Sequence, residues 1–96
     1  MFLNKYLNEF YYNEVLDNYE EDYLLMMDED NFKKIYDLFK INRFYFIQDI
    51  VLKYLEIFNM DYDEVKNKLE NLKNYLGDNF VYVIGNDMKY LNYILE

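Results

Sequence analysis

The sequence predicts an all-α protein, a compact bundle of five to seven helices. Three observations carry that prediction. Apolar residues recur at steps of three and four along most of the chain. Proline is absent, and glycine occurs only at 77 and 85. Aspartates stand at 28 and 61, each ahead of a periodic apolar run, where N-caps belong. The 96 residues, 53% of them apolar, suffice for one modest core. A single domain 1–96 is therefore expected: an acidic helical segment 1–29, then helical units 30–59 and 60–96.

The elements follow in order. In the first segment Tyr12, Leu16, Tyr19, Tyr23 and Met26 form one apolar stripe, with Glu14, Asp17 and Glu21 on a separate line. A second helix begins near Asp30 and turns Phe32, Ile35, Tyr36 and Phe39 inward. Glu29–Lys33 and Asp30–Lys34 are its i,i+4 pairs. A third covers 45–58, and its polar stripe (Asp49, Lys53, Glu56) is so narrow that the helix must be central. Asp61 with Glu64 reads as a capping box opening a helix with Val65, Leu69, Leu72 and Leu76 on one face, stopped by Gly77. FVYVI at 80–84 has the β-branched content of a strand, with FYFI at 44–47 as its partner. Two short strands alone are marginal, so a helical turn is the main expectation and the two-stranded ribbon the alternative. Met88, Leu91 and Leu95 continue in helical steps.

The chain also repeats itself. MDEDNFKKIYDLFK (27–40) aligns with MDYDEVKNKLENLK (60–73), and RFYFIQDIVLKYL (43–55) with NFVYVIGNDMKYL (79–91). The offset grows from 33 to 36 between these blocks. Two helix-pair units after an atypical first segment make a helical-repeat layout. The rhythm of Leu76-Gly77 to Phe80 and Ile84-Gly85 to Asp87 is similar to mitochondrial transcription-terminator-type helical repeats. That resemblance covers at most residues 27–95 and implies architecture alone, since the usual proline and basic groove are absent.

Chemistry is bounded by what is missing. There is no Ser, Thr, Cys or His, so the common nucleophiles, the common proton shuttle and the common zinc ligands are lacking. No enzymatic activity and no cofactor are expected. Asp28–Asn31 and Asp61–Glu64 resemble pieces of a calcium loop, which requires Gly at its sixth position and Glu at its twelfth. Those positions hold Lys33 and Phe39 in the first, Lys66 and Leu72 in the second. Helix caps are the better reading, and no metal is expected.

Charge supplies the functional pointer. The formal net charge is −9, and residues 6–32 hold nine carboxylates without a lysine or arginine. Residues 33–96 hold ten acids and nine bases. Such a balance disfavours direct nucleic-acid binding and favours a cationic protein partner. The neighbouring Lys33, Lys34, Lys40 and Arg43 suggest internal neutralisation, but four cations cannot cancel nine anions. Tyrosines interleave with the acids, a mixture suited to an arginine-rich surface. The candidate partner-binding residues are Glu9, Tyr11, Glu14, Asp17, Glu20, Glu21, Asp22, Asp28, Glu29 and Asp30.

Small size, a pI near 4.4, a dominance of residues with A/T-rich codons (Asn, Lys, Tyr, Phe, Ile) and this acid-and-Tyr segment resemble, at class level, the small acidic inhibitors of phages and mobile elements, anti-CRISPR proteins among them. The resemblance implies a cytoplasmic inhibitor that occupies the nucleic-acid-binding site of a host nuclease or CRISPR effector. An immunity protein to a nuclease toxin and a helical-repeat adaptor with an apolar groove are the alternatives. No run of residues is apolar enough to span a membrane, so no membrane partner is expected.

Overall fold

Asp28 and Asp61 open the two longest helices. The Asp28 carboxylate accepts from the N–H groups of Asp30 and Asn31, at 2.9 and 3.4 Å. That of Asp61 accepts from Glu64 N–H at 3.2 Å. Each satisfies donors left free by the first helical turn. The structure, a computed structural model, describes residues 1–96 and is helical throughout. Seven α-helices occur: α1 (Glu9–Asn18), α2 (Glu21–Leu25), α3 (Glu29–Ile41), α4 (Ile47–Lys53), α5 (Tyr62–Leu76), α6 (Phe80–Asn86) and α7 (Asn92–Leu95). 3₁₀ turns cover Phe2–Lys5, Leu55–Asn59 and Met88–Leu91. FVYVI is helical within α6, so the ribbon alternative is excluded.

Three expected helices differ in detail. The 9–30 segment breaks at Tyr19 and Glu20, both extended, into α1 and α2. Asp17 without any cation in the last turn of α1 opposes the helix dipole, whereas Glu21 and Asp22 suit the start of a new helix. The break resets the helical phase. Val15, Leu24 and Met27 are buried, whereas Leu16, Tyr23 and Met26 of the expected stripe are exposed. Likewise 45–58 is not one helix: α4 ends at Tyr54 and a 3₁₀ turn follows, with Ile50, Val51, Leu55, Ile57 and Phe58 fully buried. At the end, Ile94 rather than Leu95 joins Leu91 in the core. The anticipated i,i+4 pairs are also replaced. Glu29 bonds Lys5 at 3.0 Å, and Lys33 reaches forward to Asp37 at 2.7 Å.

The element order recurs at one register. The caps Asp28 and Asp61, the seven-residue helices α4 and α6, and the breaks at Tyr54 and Asp87 are all 33 residues apart. The shift to 36 read from the downstream sequence match is therefore not the register of the helices. α5 is two residues longer than α3, and a shorter turn absorbs the difference. Phe44 and Phe80, paired by the sequence match, instead pack on each other with ring centroids 5.8 Å apart.

All 24 buried residues are apolar and form one cluster. Without Ala or Trp, leucine, isoleucine and phenylalanine fill most of it. Ring contacts run from Phe2 through Phe32, Phe58, Phe39 and Phe44 to Phe80, joining the N-terminal turn to the second unit. Asn31 ties the two units together, donating from Nδ2 to the carbonyls of Phe58 (3.0 Å) and Met60 (2.9 Å).

The two long helices end differently. α3 closes in a Schellman motif: Phe44 N–H donates to Phe39 C=O, Arg43 N–H donates to Lys40 C=O, and the rings of Phe39 and Phe44 meet at 5.1 Å. The motif needs a left-handed residue, and Arg43 supplies it at φ 66°. At the end of α5, Gly77 takes φ 87° and ψ −167°, a region open essentially to glycine alone. Arg43→Gly is thus expected to raise stability by about 0.5–1 kcal/mol, relief of left-handed strain exceeding the entropy cost of glycine. Gly77→Ala is expected to lose about 1–3 kcal/mol. That loss is purely conformational, because a Cβ there meets no atom within 4 Å. Urea midpoints of both variants check the pair.

Candidate functional site

The acidic face is built by α1 and α2. Three contacts fix the inner side of α1 against α4. Tyr11 Oη donates to Asp49 Oδ1 (2.7 Å), Tyr19 Oη donates to the Leu52 carbonyl (2.9 Å), and Asn8 N–H donates to Gln48 Oε1 (2.6 Å). Val15 is fully buried between them. Helical spacing then turns Phe10, Asn13 and Asp17 outward, with Glu14 half-buried at the edge of this face. α2 is held by Leu24, with Met27 buried just beyond it, so Leu25 and Met26 stand out as a knuckle.

The ten candidate residues separate by role. Asp28 is committed as the α3 cap, Glu29 to an exposed pair with Lys5, and Tyr11 to Asp49, so these three already have partners within the fold. The remaining seven, Glu9, Glu14, Asp17, Glu20, Glu21, Asp22 and Asp30, have no cation within 4.0 Å. Lys33, Lys34, Lys40 and Arg43 make no ion pair with the acids of 6–32, so the expected internal neutralisation does not occur. Among these free carboxylates stand large apolar groups: Phe10 is 65% exposed, Leu25 62% and Met26 86%. Sequence reading missed this feature for Phe10 and Leu25 and took Met26 as core. For Met26 the signal was the helix break at 19–20, which a continuous helical wheel conceals, whereas Phe10 and Leu25 already lie off the expected stripe.

Four tyrosine hydroxyls ionise above the ordinary 10.0. The hydrogen bond to Asp49 raises Tyr11. Burial is the main cause for Tyr19, Tyr23 and Tyr36, with Glu56 adding to the first two and Asp37 to the third. The neutral phenols thus stabilise the fold fully below pH 10. Above it the unfolded chain releases protons that the folded chain retains, and stability falls toward the folded values. Denaturant midpoints are therefore expected to hold up to about pH 9 and drop by about pH 11. An ultraviolet titration should show delayed tyrosinate formation in the folded protein.

A hollow lies between α5 and the C-terminal 3₁₀ turn and α7. Leu72, Tyr75, Tyr90, Tyr93 and Asn71 line it, with a volume of about 370 Å³. Asn71 donates to the Tyr93 hydroxyl at 3.1 Å, and Lys68 Nζ sits 5.9 Å from that ring's centroid. No three acidic side chains converge anywhere as a metal site would require. No helix is long and apolar enough to cross a membrane. Comparison with protein-family models, curated proteins and solved structures finds no match to this chain.

Proposed function

We propose that this chain is a non-enzymatic, protein-binding inhibitor whose α1–α2 face blocks a cationic, nucleic-acid-binding site on a partner such as a nuclease or CRISPR effector. The observation that carries this reading is the set of seven carboxylates without cations, interleaved with exposed Phe10, Leu25 and Met26. Carboxylates alone would serve a solvated face. Carboxylates around apolar anchors suit a surface that desolvates against a groove of arginines, lysines and hydrocarbon. Nine acids on one segment make any nucleic-acid mimicry local rather than extended.

The test is affinity capture from a bacterial extract. A partner retained at low salt, released by raised salt and displaced by a short DNA duplex supports the reading. A partner that ignores both salt and duplex contradicts it.

The tyrosine-lined hollow supports a second reading, an adaptor that seats an apolar peptide between α5 and α7. In that case Tyr75→Ala weakens capture and salt has little effect.

A further inference from the structure

Two surfaces of opposite charge adjoin one helix pair. α3 and α5 run parallel, since their caps Asp28 and Asp61 border the same polar hollow together with Met26. Leu38 and Ile41 in the last turns of α3 form a groove with Tyr62, Leu69 and the lysines of α5, a groove that runs along α5 from its first residue to Lys73. Lys34, Lys66 and Lys73 line this groove without an ion-pair partner, whereas its Asp37 is already bonded to Lys33. Glu70 is the one other carboxylate there. The groove is therefore locally cationic on a protein of charge −9.

The apolar anchors match this division. Met26 and Ile41 are the two most exposed aliphatic side chains, at 86% and 78%. Met26 projects beside buried Leu24 and Met27, with Glu21, Asp22 and Asp30 near it in sequence and Asp28 and Asp61 bordering the hollow it lines. Ile41 stands in the lysine groove at the far end of α3, about 20 Å away by helical rise, so one molecule cannot join them.

We propose that the α3–α5 groove receives the Leu25–Met26 knuckle of a second copy of this chain. Methionine packs adaptably against Leu38, Ile41 and Tyr62, while the flanking carboxylates meet Lys34, Lys66 and Lys73. Knuckle and groove are different patches, so the contact is head-to-tail and open-ended rather than a closed two-fold dimer. Whole-molecule repulsion opposes it at low salt. Near 0.15 M, where screening acts beyond about 8 Å, the short-range pairs persist and repulsion fades. This association uses the same knuckle as the cationic partner proposed above, so the two would compete, and it is measured with that partner absent.

Sedimentation velocity on the purified chain tests it. The wild type is expected to rise with concentration from 12.1 kDa past the dimer. Met26→Lys retains the groove and Ile41→Glu retains the knuckle; each alone is expected to remain monomeric. Mixed in equal amounts, they are expected to form a heterodimer that grows no further. Both positions are exposed, and unchanged circular dichroism confirms that the variants fold. A wild type that stays monomeric, a dimer that survives either substitution, or a mixture that stays monomeric while the wild type associates would each overturn the proposal.

Discussion

Phe32→Ala is expected to lose about 3–5 kcal/mol of folding free energy, the largest effect of any single substitution considered. Phe32 is fully buried, and its ring lies 4.8 Å from Phe58, 5.0 Å from Tyr6, 5.4 Å from Phe2 and 5.9 Å from Tyr36. It is the point where the N-terminal turn, α3 and the central 3₁₀ turn meet. Small side chains are scarce here, and the rings around the site are held by further rings, so the cavity cannot collapse. A domain of this size has about 5–15 kcal/mol in total, so the variant approaches the threshold of folding. Its melting temperature should fall by more than about 12 °C. Phe32→Leu, which retains most of the volume, should cost markedly less. A loss below about 1 kcal/mol for the alanine variant would mean that the aromatic cluster does not hold the fold.

The second large effect falls on binding and leaves folding nearly untouched. Reversing Glu14, Asp17 and Glu21 to lysine removes three of the seven unpaired carboxylates. Asp17 lies in the last turn of α1, where a cation is favoured by about 0.3–1 kcal/mol. Glu21 opens α2, where a cation costs a similar amount, so these two changes nearly cancel. Glu14 makes no ion pair that its reversal would break. The triple variant should therefore melt within a few degrees of the wild type. Against a cationic groove it places like charges in contact and should weaken binding by at least about 100-fold.

Much of the fold was legible in the sequence because its signals are local. A capping aspartate lies within one turn of the donors it satisfies, which is why the starts of α3 and α5 at Asp28 and Asp61 were visible. Gly77 marked the end of α5 for a comparable reason. Longer-range phase was hidden. The helical wheel drawn through 9–30 assumed continuity, and the break at Tyr19 and Glu20 moved burial from Tyr23 and Met26 to Leu24 and Met27. The same difficulty affected 45–58, where the end of α4 at Tyr54 divides one apolar run into two elements.

The repeat shows how matching letters can mislead. Lys-Tyr-Leu at 53–55 and 89–91 suggested an offset of 36, whereas the helix boundaries keep 33. Burial follows the structural register: Val51 and Ile84, and Phe58 and Leu91, are fully buried pairs 33 residues apart. Of the candidate site, its charge was readable and its division of labour was not. That Tyr11, Asp28 and Glu29 are engaged within the fold depends on Asp49, on backbone donors and on Lys5, whose positions only the tertiary structure defines.

The most direct test of the central claim, that the α1–α2 face engages a cationic site, is calorimetric titration of the captured partner with wild type and with the Glu14/Asp17/Glu21 reversal. The wild-type affinity is expected to decline steeply with salt, and the triple variant is expected to lose about 100-fold or more while its melting temperature is preserved. An affinity within about twofold of wild type, with the same salt response, would contradict it.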